Sequence, residues 1–423
     1  MIQKKSVAFH TLGCKLNYSE TSAISRLMET EGYEKRAFDE QADVYVINTC
    51  SVTENADREC RQLVRRIQRK APDSMVVITG CYAQLKPKEI ADIPGVDLVL
   101  GAAEKFNITT HLNGLSKTDP TRICSCDTAE ISGFNSSFSL NDRTRTFLKV
   151  QDGCDYSCSF CTIPMARGKS RSNRIEKVIE EVQLLAEKGV KEIVLTGVNL
   201  GDFGKGPNAE KHSESFFELV QELDAAEGIE RFRISSIEPN LLTNEIIEFV
   251  STSKRFMPHF HIPLQSGSNK ILGMMRRRYK RELYADRVAL IKSIMPHCSI
   301  GVDVIVGFPG ESDADFMETA EFLKALDISY LHVFTYSERD NTHALGLGPV
   351  VPIPLRQERN KILRNLSYKK QMHFNAEHQG QTRKVLFEGE QADGMMEGYS
   401  DNYIRVKVPA IAGWTNSIRD WTL

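Results

Sequence analysis

The sequence predicts an α/β protein with an N-terminal parallel-sheet domain, a central partial β/α barrel and a small C-terminal all-β barrel. Two observations predict this class. Short β-branched runs alternate with helical stretches in two successive blocks, and the final residues form short strand patterns separated by Gly-containing turns. The predicted domains cover residues 1–120, 143–378 and 379–423, with a linker at 121–142.

The composition is that of an ordinary soluble globular protein. Of the 423 residues, 41% are hydrophobic and 26% are charged, and no apolar run reaches the roughly 18 residues of a transmembrane helix. The first residues lack the long apolar core of a signal peptide, so we expect a cytoplasmic protein with no membrane partner. Cytoplasmic thiols stay reduced, and the ten cysteines therefore indicate metal binding or catalysis more than disulfides.

Three strands of the first block end at a cysteine. The runs VAFHTLGC, DVYVINTC and MVVITGC end at Cys14, Cys50 and Cys81. Parallel strands all point the same way, so their carboxyl ends meet at one edge of the sheet, where ligands bind. We therefore predict a shared metal site on these three cysteines.

The second block contains six strand candidates separated by helical patterns. They are FLKVQDG (147–153), EIVLTGVNLG (192–201), FRISSIEP (232–239), HFHIPLQSG (259–267), IGVDVIVGFPGE (300–311) and YLHVFTYS (330–337). Six such units predict an open or partial barrel whose active residues lie at the carboxyl ends of the strands. Residues 355–378 predict one basic helix.

The stretch GCDYSCSFC places Cys154, Cys158 and Cys161 in a loop after the first strand of the barrel. Groups of three or four reduced thiolates hold zinc or iron–sulfur clusters. A closed zinc site needs four protein ligands, whereas a cubane cluster on three cysteines leaves one iron open to a small molecule. Tyr156 and Phe160 lie inside the loop, and we predict that they shield a cluster and pack against a ligand ring.

Other cysteines and histidines have plainer interpretations. Cys124 and Cys126, in the predicted linker, are read as free thiols or strand residues. Cys60, in a basic helix, and Cys298, in a turn, are interpreted as structural. His259 and His261 share one face of a strand, and a barrel-lining role is favoured over metal ligation.

The C-x3-C-x2-C spacing, with an aromatic residue before the last cysteine at the start of a β/α barrel, resembles the radical S-adenosylmethionine (SAM) superfamily. Nearly the whole chain resembles one of its families, the methylthiotransferases. The terminal segment GYSDNYIRV is similar to that family's RNA-binding TRAM domain. The other similar stretches are TLGCKLNYSE, NTCSVTENAD, TGCYAQ, IPMARGKSRS, HIPLQSGS and VGFPGE.

This resemblance implies two 4Fe–4S clusters, one on each cysteine trio, with SAM as cofactor. It implies methylthio transfer to carbon 2 of a modified adenosine in tRNA. Lys15-Leu16-Asn17 is similar to the branch that acts on threonylcarbamoyladenosine. The alternatives are the branches that act on isopentenyladenosine or on a ribosomal-protein aspartate, a two-cluster electron carrier, and an RNA-binding protein with structural zinc.

Two residues at strand ends are assigned to SAM through the resemblance. Gln265 is predicted to contact SAM, and Glu238 is predicted to bind its ribose hydroxyls, with a salt bridge as the competing interpretation for Glu238. No catalytic residue is predicted beyond the cluster ligands. The sequence departs from the family at Asp340-Asn341, where Pro-Gly is usual, but Asn tolerates the left-handed conformation that such a turn needs. The terminal barrel is also short.

The expected macromolecular partner is tRNA. The net charge is only −2, yet four local basic runs cover 61–70, 167–174, 276–281 and 355–370. Solvated helix faces explain any one of these runs, but four together favour a polyanion.

Four basic residues are predicted to contact the substrate. Arg167 and Arg171, after the cluster loop, are predicted to meet a carboxylate or phosphate, and Arg405 and Lys407 are predicted to contact RNA. An electron donor such as flavodoxin or ferredoxin is a second expected partner.

Overall fold

The structure is a computed structural model that describes residues 4–51, 54–131, 133–140, 144–206 and 211–423. Within these ranges, the N-terminal domain is a six-stranded parallel sheet in the order β2-β1-β3-β4-β5-β6. Its strands are β1 (Ser6–Thr11), β2 (Glu34–Arg36), β3 (Val44–Thr49), β4 (Met75–Gly80), β5 (Leu98–Leu100) and β6 (Arg122–Cys124). Its helices are α1 (Lys15–Thr30), α2 (Glu54–Lys70), α3 (Cys81–Leu85), α4 (Pro87–Ala91) and α5 (Ile108–Leu112). The predicted parallel-sheet domain is confirmed.

Apolar layers cover both faces of this sheet. Every residue of β3 is buried, with Tyr45 and Ile47 in one apolar cluster and Val44 and Val46 in another. Burial on both faces explains why the central strands read as near-continuous β-branched runs instead of alternating ones.

The central domain is a partial barrel with six parallel strands in the part of the chain that the structure describes. They are β8 (Arg145–Lys149), β11 (Glu192–Thr196), β12 (Arg231–Ile234), β13 (His259–His261), β14 (Ser299–Val306) and β15 (Tyr330–Thr335). The first three strands form one sheet and the last three another, and a parallel bridge between Ser236 and His261 joins the two. All six predicted strands are confirmed, with shorter bounds.

Helices cover the outside of the barrel. They are α6 (Ile163–Arg167), α7 (Ile175–Glu187), α8 (Phe216–Ala225), α9 (Asn244–Thr252), α10 (Asn269–Met274), α11 (Arg281–Ile294), α12 (Asp313–Ala325) and α13 (Ile353–Glu377). Helix α13 packs against β15 and is the predicted basic helix. Arg359 of α13 is buried, and its NH1 lies 2.6 Å from Oε2 of Glu311, so part of the helix's positive charge is used inside the protein. No helix in the described ranges is both long enough and apolar enough to cross a bilayer.

The segment predicted as a linker contributes an edge strand to each sheet. Strand β6 pairs with β5 in the N-terminal domain, and β7 (Ser137–Phe138) pairs antiparallel with β8 in the barrel. Cys124 is therefore a strand residue. Residues 141–143, at the predicted start of the barrel, lie outside the described residues. A short antiparallel pair, β9 (Gln151–Asp152) and β10 (Arg171–Ser172), brackets the loop of the second cysteine trio.

The C-terminal domain is an antiparallel sheet in the order β18-β17-β16-β19. Its strands are β16 (Thr382–Glu390), β17 (Met395–Ser400), β18 (Arg405–Pro409) and β19 (Ser417–Thr422). The predicted all-β domain is confirmed, as a sheet that has β18 and β19 at opposite edges. A small core that includes Val385, Phe387 and Met396 holds it together.

This sheet docks on the amino ends of the barrel strands. Arg231 at the start of β12 donates to the carbonyl of Lys384 at 2.7 Å, and Arg233 donates to the carbonyl of Ser400 at 2.8 Å. Arg145 at the start of β8 pairs with Glu388 at 2.9 Å. The terminal domain thus closes the end of the barrel opposite the one that carries the cysteine loop.

A buried ion network joins the N-terminal domain to the barrel. Glu20 of α1 is fully buried (0% exposed), and its carboxylate contacts Lys105 at 2.7 Å, Lys149 at 3.1 Å and Arg167 at 3.1 Å. Arg167 also contacts Asp152 at 2.9 Å. Burial alone raises the pKa of Glu20, but the positive charges of Arg167, Lys105 and Lys149 outweigh this effect and hold the pKa far below its usual range.

Replacing Glu20→Gln is therefore expected to destabilise the protein strongly, by about 3–5 kcal/mol, because it leaves three buried cations with too little negative charge. The free energy of unfolding from denaturant titration of the cluster-loaded protein measures this loss. Glu227→Gln, at an exposed position, is the matched control and should change stability little. Equal stability of the two variants would contradict the role assigned to Glu20.

Candidate active site

The first cysteine trio lies at the carboxyl ends of three adjacent strands. Cys14 precedes α1 shortly after β1, Cys50 directly follows β3, and Cys81 directly follows β4 as the first residue of α3. Strands β1, β3 and β4 are neighbours in the sheet. The structure therefore brings the three cysteines to one edge, where the sequence placed them.

Two local features hold these loops in place. Gly13 has a φ of +102°, and a Cβ there would lie 2.6 Å from Cβ and 2.9 Å from Sγ of Cys50. Asn17 donates from its side-chain amide to the carbonyls of Leu12 and Thr49, both at 2.9 Å. The turn before Cys14 is thereby fastened to the end of β3, beside Cys50.

The second trio lies in the loop between β9 and α6. The backbone N–H groups of Tyr156 and Ile163 donate to the sulfurs of Cys154 and Cys161, each at 3.4 Å. Arg277 donates to the sulfur of Cys158 at 3.1 Å. Hydrogen bonds of this kind stabilise thiolates and tune clusters bound to them.

Without a metal, the cysteines of the second trio stay protonated as thiols. Burial raises the pKa of Cys154 to about 12 and that of Cys161 to about 12. Burial also raises the pKa of Cys158 and of Cys81, although the nearby charges of Arg277 and Arg167 oppose this. A bound cation has to displace these protons, which is the usual coupling of metal binding to thiol deprotonation.

The sulfurs of neither trio are as close together as the ligands of a single tetrahedral ion. Four sulfurs around one zinc at 2.3 Å lie about 3.8 Å apart. Within the described ranges, the group of metal-binding side chains whose donor atoms all lie within 4.8 Å of one another is His261, Asp303 and His332, and neither cysteine trio is drawn together so tightly. Thiolates that bind different irons of a cubane stand further apart, so the donor sets fit cubanes.

The two cysteine loops face each other across the domain interface. The hydroxyl of Ser51, next to Cys50, lies 3.4 Å from the hydroxyl of Thr162, next to Cys161. Helix α3, which begins at Cys81, packs on α6, which follows Cys161. Both trios therefore border the same interface.

A loop of the barrel fastens this arrangement. Arg339 donates to the carbonyl of Ser51 at 2.8 Å and pairs with Asp57 at 2.7 Å. In the same loop, Ala344 donates its N–H to the carbonyl of Ser159 at 2.7 Å. Asn341 has a φ of +63°, so the departure from Pro-Gly keeps the left-handed turn, as predicted.

Two cavities open at the cysteines. One of ≈ 660 Å³ lies at the second trio. The other, of ≈ 460 Å³, begins at Cys14 and runs between the N-terminal domain, the barrel and Tyr403 of the terminal domain.

Of the residues predicted to contact SAM, Tyr156 and Phe160 lie in the loop of the second trio and Glu238 lies beside it, and all three already have protein partners. Glu238 pairs with Arg277, the residue that contacts Cys158, and burial raises the pKa of Glu238. Tyr156 is buried, and the guanidinium of Arg278 lies 3.9 Å from its ring centroid.

Phe160 packs edge-on against Phe308, with ring centroids 6.4 Å apart. Gln265 has a φ of +71° and is bridged to β14 beyond the end of β13. Such a strained non-glycine backbone is typical of ligand sites.

The residues predicted to contact substrate are largely engaged elsewhere. Arg167 is 3% exposed and belongs to the Glu20 network, and Arg171 donates to the carbonyls of Gly133 and Arg167 at 2.8 and 2.7 Å. These contacts argue against the prediction that either arginine reads a substrate carboxylate. The sequence could not reveal this, because Glu20 lies 147 residues from Arg167.

Arg405 and Lys407 remain at the surface of the terminal sheet. Arg405 pairs with Glu397 at 2.7 Å, and Lys407 pairs with Asp393 at 2.7 Å. The Lys407 pair is exposed on both sides and exchanges partners at little cost, whereas the Glu397 partner of Arg405 is buried.

The sequence missed a polar cluster on the barrel strands, which His261, Asp303 and His332 form. His261 lies 2.9 Å from Asp303, which also lies 3.2 Å from His332. Asp303 and His332 are directly paired in neighbouring strands, a register that the sequence alone does not reveal. His259 does not join them, and instead contacts the hydroxyl of Tyr330 at 2.9 Å, in line with the predicted barrel-lining role.

Two family models match the chain. Residues 6–101 match Uncharacterized protein family UPF0004, and residues 148–323 match the Radical SAM superfamily. Among solved structures, the radical S-adenosylmethionine methyltransferase TsrM from Kitasatospora setae superposes with a TM-score of 0.55 at 15% identity, over 79% of this chain and 75% of that one. That likeness concerns the fold.

Closer relatives match over nearly the full length. The chain is 41% identical to Threonylcarbamoyladenosine tRNA methylthiotransferase MtaB of Bacillus subtilis (strain 168), over 95% of this chain and 90% of that protein. Its identity to MtaB of Aquifex aeolicus (strain VF5) is 41%, over 95% and 96%. Its identity to tRNA-2-methylthio-N(6)-dimethylallyladenosine synthase of Syntrophus aciditrophicus (strain SB) is 32%, over 95% and 86%.

A three-cysteine loop at the mouth of a partial β/α barrel makes this chain a radical SAM enzyme, a class that uses a 4Fe–4S cluster and SAM. Within the class, it belongs to the methylthiotransferase family, as its full-length relatives show. The predicted family and enzyme class are confirmed, and the electron-carrier and zinc-protein alternatives are set aside.

The close approach at Gly13 provides a test of the first trio. Gly13→Ala should lower the iron retained per chain after anaerobic reconstitution, because the new methyl group displaces Cys50. Gly32→Ala is the matched control, since Gly32 has a similar φ of +91° but no atom within 4 Å of an added Cβ. It should retain its iron. Equal iron content in the two variants would show that the approach of Gly13 to Cys50 does not shape the site.

Proposed function

We propose that this enzyme adds a methylthio group to carbon 2 of N6-threonylcarbamoyladenosine, next to the anticodon in tRNA. The observation that carries the proposal is the approach of the two cysteine loops, with Ser51 and Thr162 in contact between Cys50 and Cys161. Full-length identity to proteins named for this substrate supports the choice of nucleoside.

We further propose a second 4Fe–4S cluster, on Cys14, Cys50 and Cys81. The carbon 2 of an adenine carries a hydrogen and no leaving group, so the reaction needs a radical to remove that hydrogen, a sulfur donor, and a methyl donor for the sulfur, for which one SAM is proposed and a second for the radical. When bound, the cluster on Cys154, Cys158 and Cys161 and its SAM supply the radical, and the second cluster supplies a site for sulfur. The approach of the two loops, with Ser51 3.4 Å from Thr162, supports a single substrate position that both supplies would border.

The protein's own residues position these groups and exclude water. Arg277 donates to Cys158 and pairs with Glu238, so it is placed to fix both the cluster loop and a SAM ribose near Glu238. Gln265 and Tyr156 complete the proposed SAM site. Arg339 holds the Cys50 loop against the barrel, and the terminal sheet closes the barrel's far end.

The remaining partners follow from this chemistry. The terminal sheet, with Arg405 and Lys407 on its surface, is the proposed contact for the anticodon stem. An electron donor such as flavodoxin or ferredoxin is proposed because each radical needs an external electron. A cytoplasmic location is proposed because tRNA is the substrate.

Substitutions in each cysteine trio should distinguish the roles of the two clusters. Anaerobically reconstituted protein is expected to hold about eight irons per chain, and replacing either trio by alanine should leave about four. Cys158→Ala should abolish reductive cleavage of SAM, whereas Cys50→Ala should retain cleavage but form no methylthio product. Cys124→Ala, outside both trios, should keep all of the iron. Cleavage lost in Cys50→Ala but kept in Cys158→Ala would reverse the assignment.

The substrate is tested with synthetic anticodon stem-loops. We expect methylthiolation of a stem-loop that carries threonylcarbamoyladenosine and little of one that carries isopentenyladenosine, as measured by mass spectrometry of the digested nucleosides. The Cys158→Ala variant is the negative control. Product only on isopentenyladenosine would refute the proposed substrate while leaving the radical chemistry intact.

A further inference from the structure

The ≈ 460 Å³ cavity lies where the three domains meet. Cys14 and Lys15 line it from the N-terminal domain, Arg145 and Arg233 from the barrel, and Tyr403 from the terminal sheet. Because Cys14 lines the cavity, a substituent on a base held beside the first trio has this space to enter.

The two arginines that line the cavity already have hydrogen-bond and ion-pair partners in the protein. Arg233 donates to Glu192 at 2.8 Å and to the carbonyls of Ser400 and Asp401. Arg145 pairs with Glu388 at 2.9 Å, and its guanidinium lies 4.0 Å from the ring centroid of Tyr399. These two arginines therefore line the cavity but are already paired with protein groups.

Lys15 differs from them. Its ammonium makes no hydrogen bond or ion pair with any residue that the structure describes. A half-buried ammonium without a partner, lining a cavity, is costly unless a ligand supplies the anion.

Tyr403 offers a second donor. Its hydroxyl accepts from NH1 of Arg145 at 3.5 Å, which leaves its own O–H free to donate. The ring stacks on His259 with centroids 4.2 Å apart, and the residue has a φ of +70°. An aromatic residue in the left-handed region is strained and needs support from its surroundings.

We propose that Lys15, assisted by the Tyr403 hydroxyl, binds the carboxylate of the substrate's threonylcarbamoyl group. This subsite rests on the proposed function, and it replaces Arg167 and Arg171 as readers of that carboxylate. An isopentenyl group has no charge to offer this ammonium, so Lys15 selects between the two modified adenosines. A backbone phosphate would satisfy the same ammonium, and the experiment separates the two anions.

The test compares two forms of the enzyme on two forms of the substrate. Wild type and Lys15→Met each act on stem-loops whose threonylcarbamoyl group carries either a free carboxylate or its methyl ester. Wild type should prefer the acid by roughly ten- to a hundredfold in kcat/KM, the range for a hydrogen bond to a charged group. Lys15→Met should lose that preference by slowing on the acid alone, and Lys15→Arg should restore most of it.

Control variants distinguish loss of carboxylate binding from damage to the proposed cluster at the neighbouring Cys14. Lys188→Met, at an exposed position of the barrel, should behave as wild type. Iron per chain and visible absorption of Lys15→Met should equal those of wild type, because Lys15 is not a ligand. Tyr403→Phe keeps the ring stacked on His259 and should reduce the acid preference only a few-fold, as loss of a weaker hydrogen bond requires.

Three outcomes overturn the subsite. The acid preference could survive in Lys15→Met, or Lys15→Met could slow equally on acid and ester, which would indicate a phosphate contact or a structural role. Loss of iron in Lys15→Met with no change in preference would likewise assign the residue to the cluster loop. Failure of wild type to methylthiolate either stem-loop would instead overturn the proposed function, and the subsite with it.

Discussion

The buried carboxylate of Glu20 is the constraint on which the arrangement of the two domains depends. It belongs to the helix that begins after Cys14, and its partner Arg167 belongs to the helix that follows Cys161. One ionic contact therefore joins the helix that follows Cys14 to the helix that follows the second trio. Such a network contributes little net stability compared with an apolar interface, but it tolerates only one relative placement of its charges. For the proposed reaction, in which a second cluster would lie near the first, that specificity of placement matters more than the energy.

The terminal sheet contributes directly to the candidate site, because one of its residues lines the cavity at Cys14. Arg231 and Arg233 of the barrel donate to its backbone, and Tyr403 from its β17–β18 turn reaches a cavity that begins at Cys14. The proposed contacts with RNA on this sheet and the proposed contacts with the modified base inside the cavity would thus be made by the same domain. The backbone strain at Tyr403 is maintained by stacking on His259 and by the hydrogen bond from Arg145.

The cysteines were predictable because their positions follow from strand geometry alone. A cysteine directly after a buried strand must lie at the carboxyl edge of a parallel sheet, whatever the rest of the chain does. Roles that depend on a distant partner were not predictable. Arg167 follows the cluster loop in sequence, yet its guanidinium forms ion pairs with Glu20 and Asp152. Asp303 and His332 gained significance only when strand pairing set them side by side.

By itself, the sequence determined the α/β class, the six barrel strands, the all-β terminal domain and the two groups of cysteines, since each is written in local periodicity and spacing. The tertiary structure decided which charges remain unpaired. In the sequence, Lys15, Arg145, Arg167 and Arg233 are equivalent cations. Packing gives the three arginines acidic partners from other segments and leaves the ammonium of Lys15 at a cavity without one among the described residues. Electrostatic pairing is a property of distances between remote residues, and those distances exist only once the domains have docked.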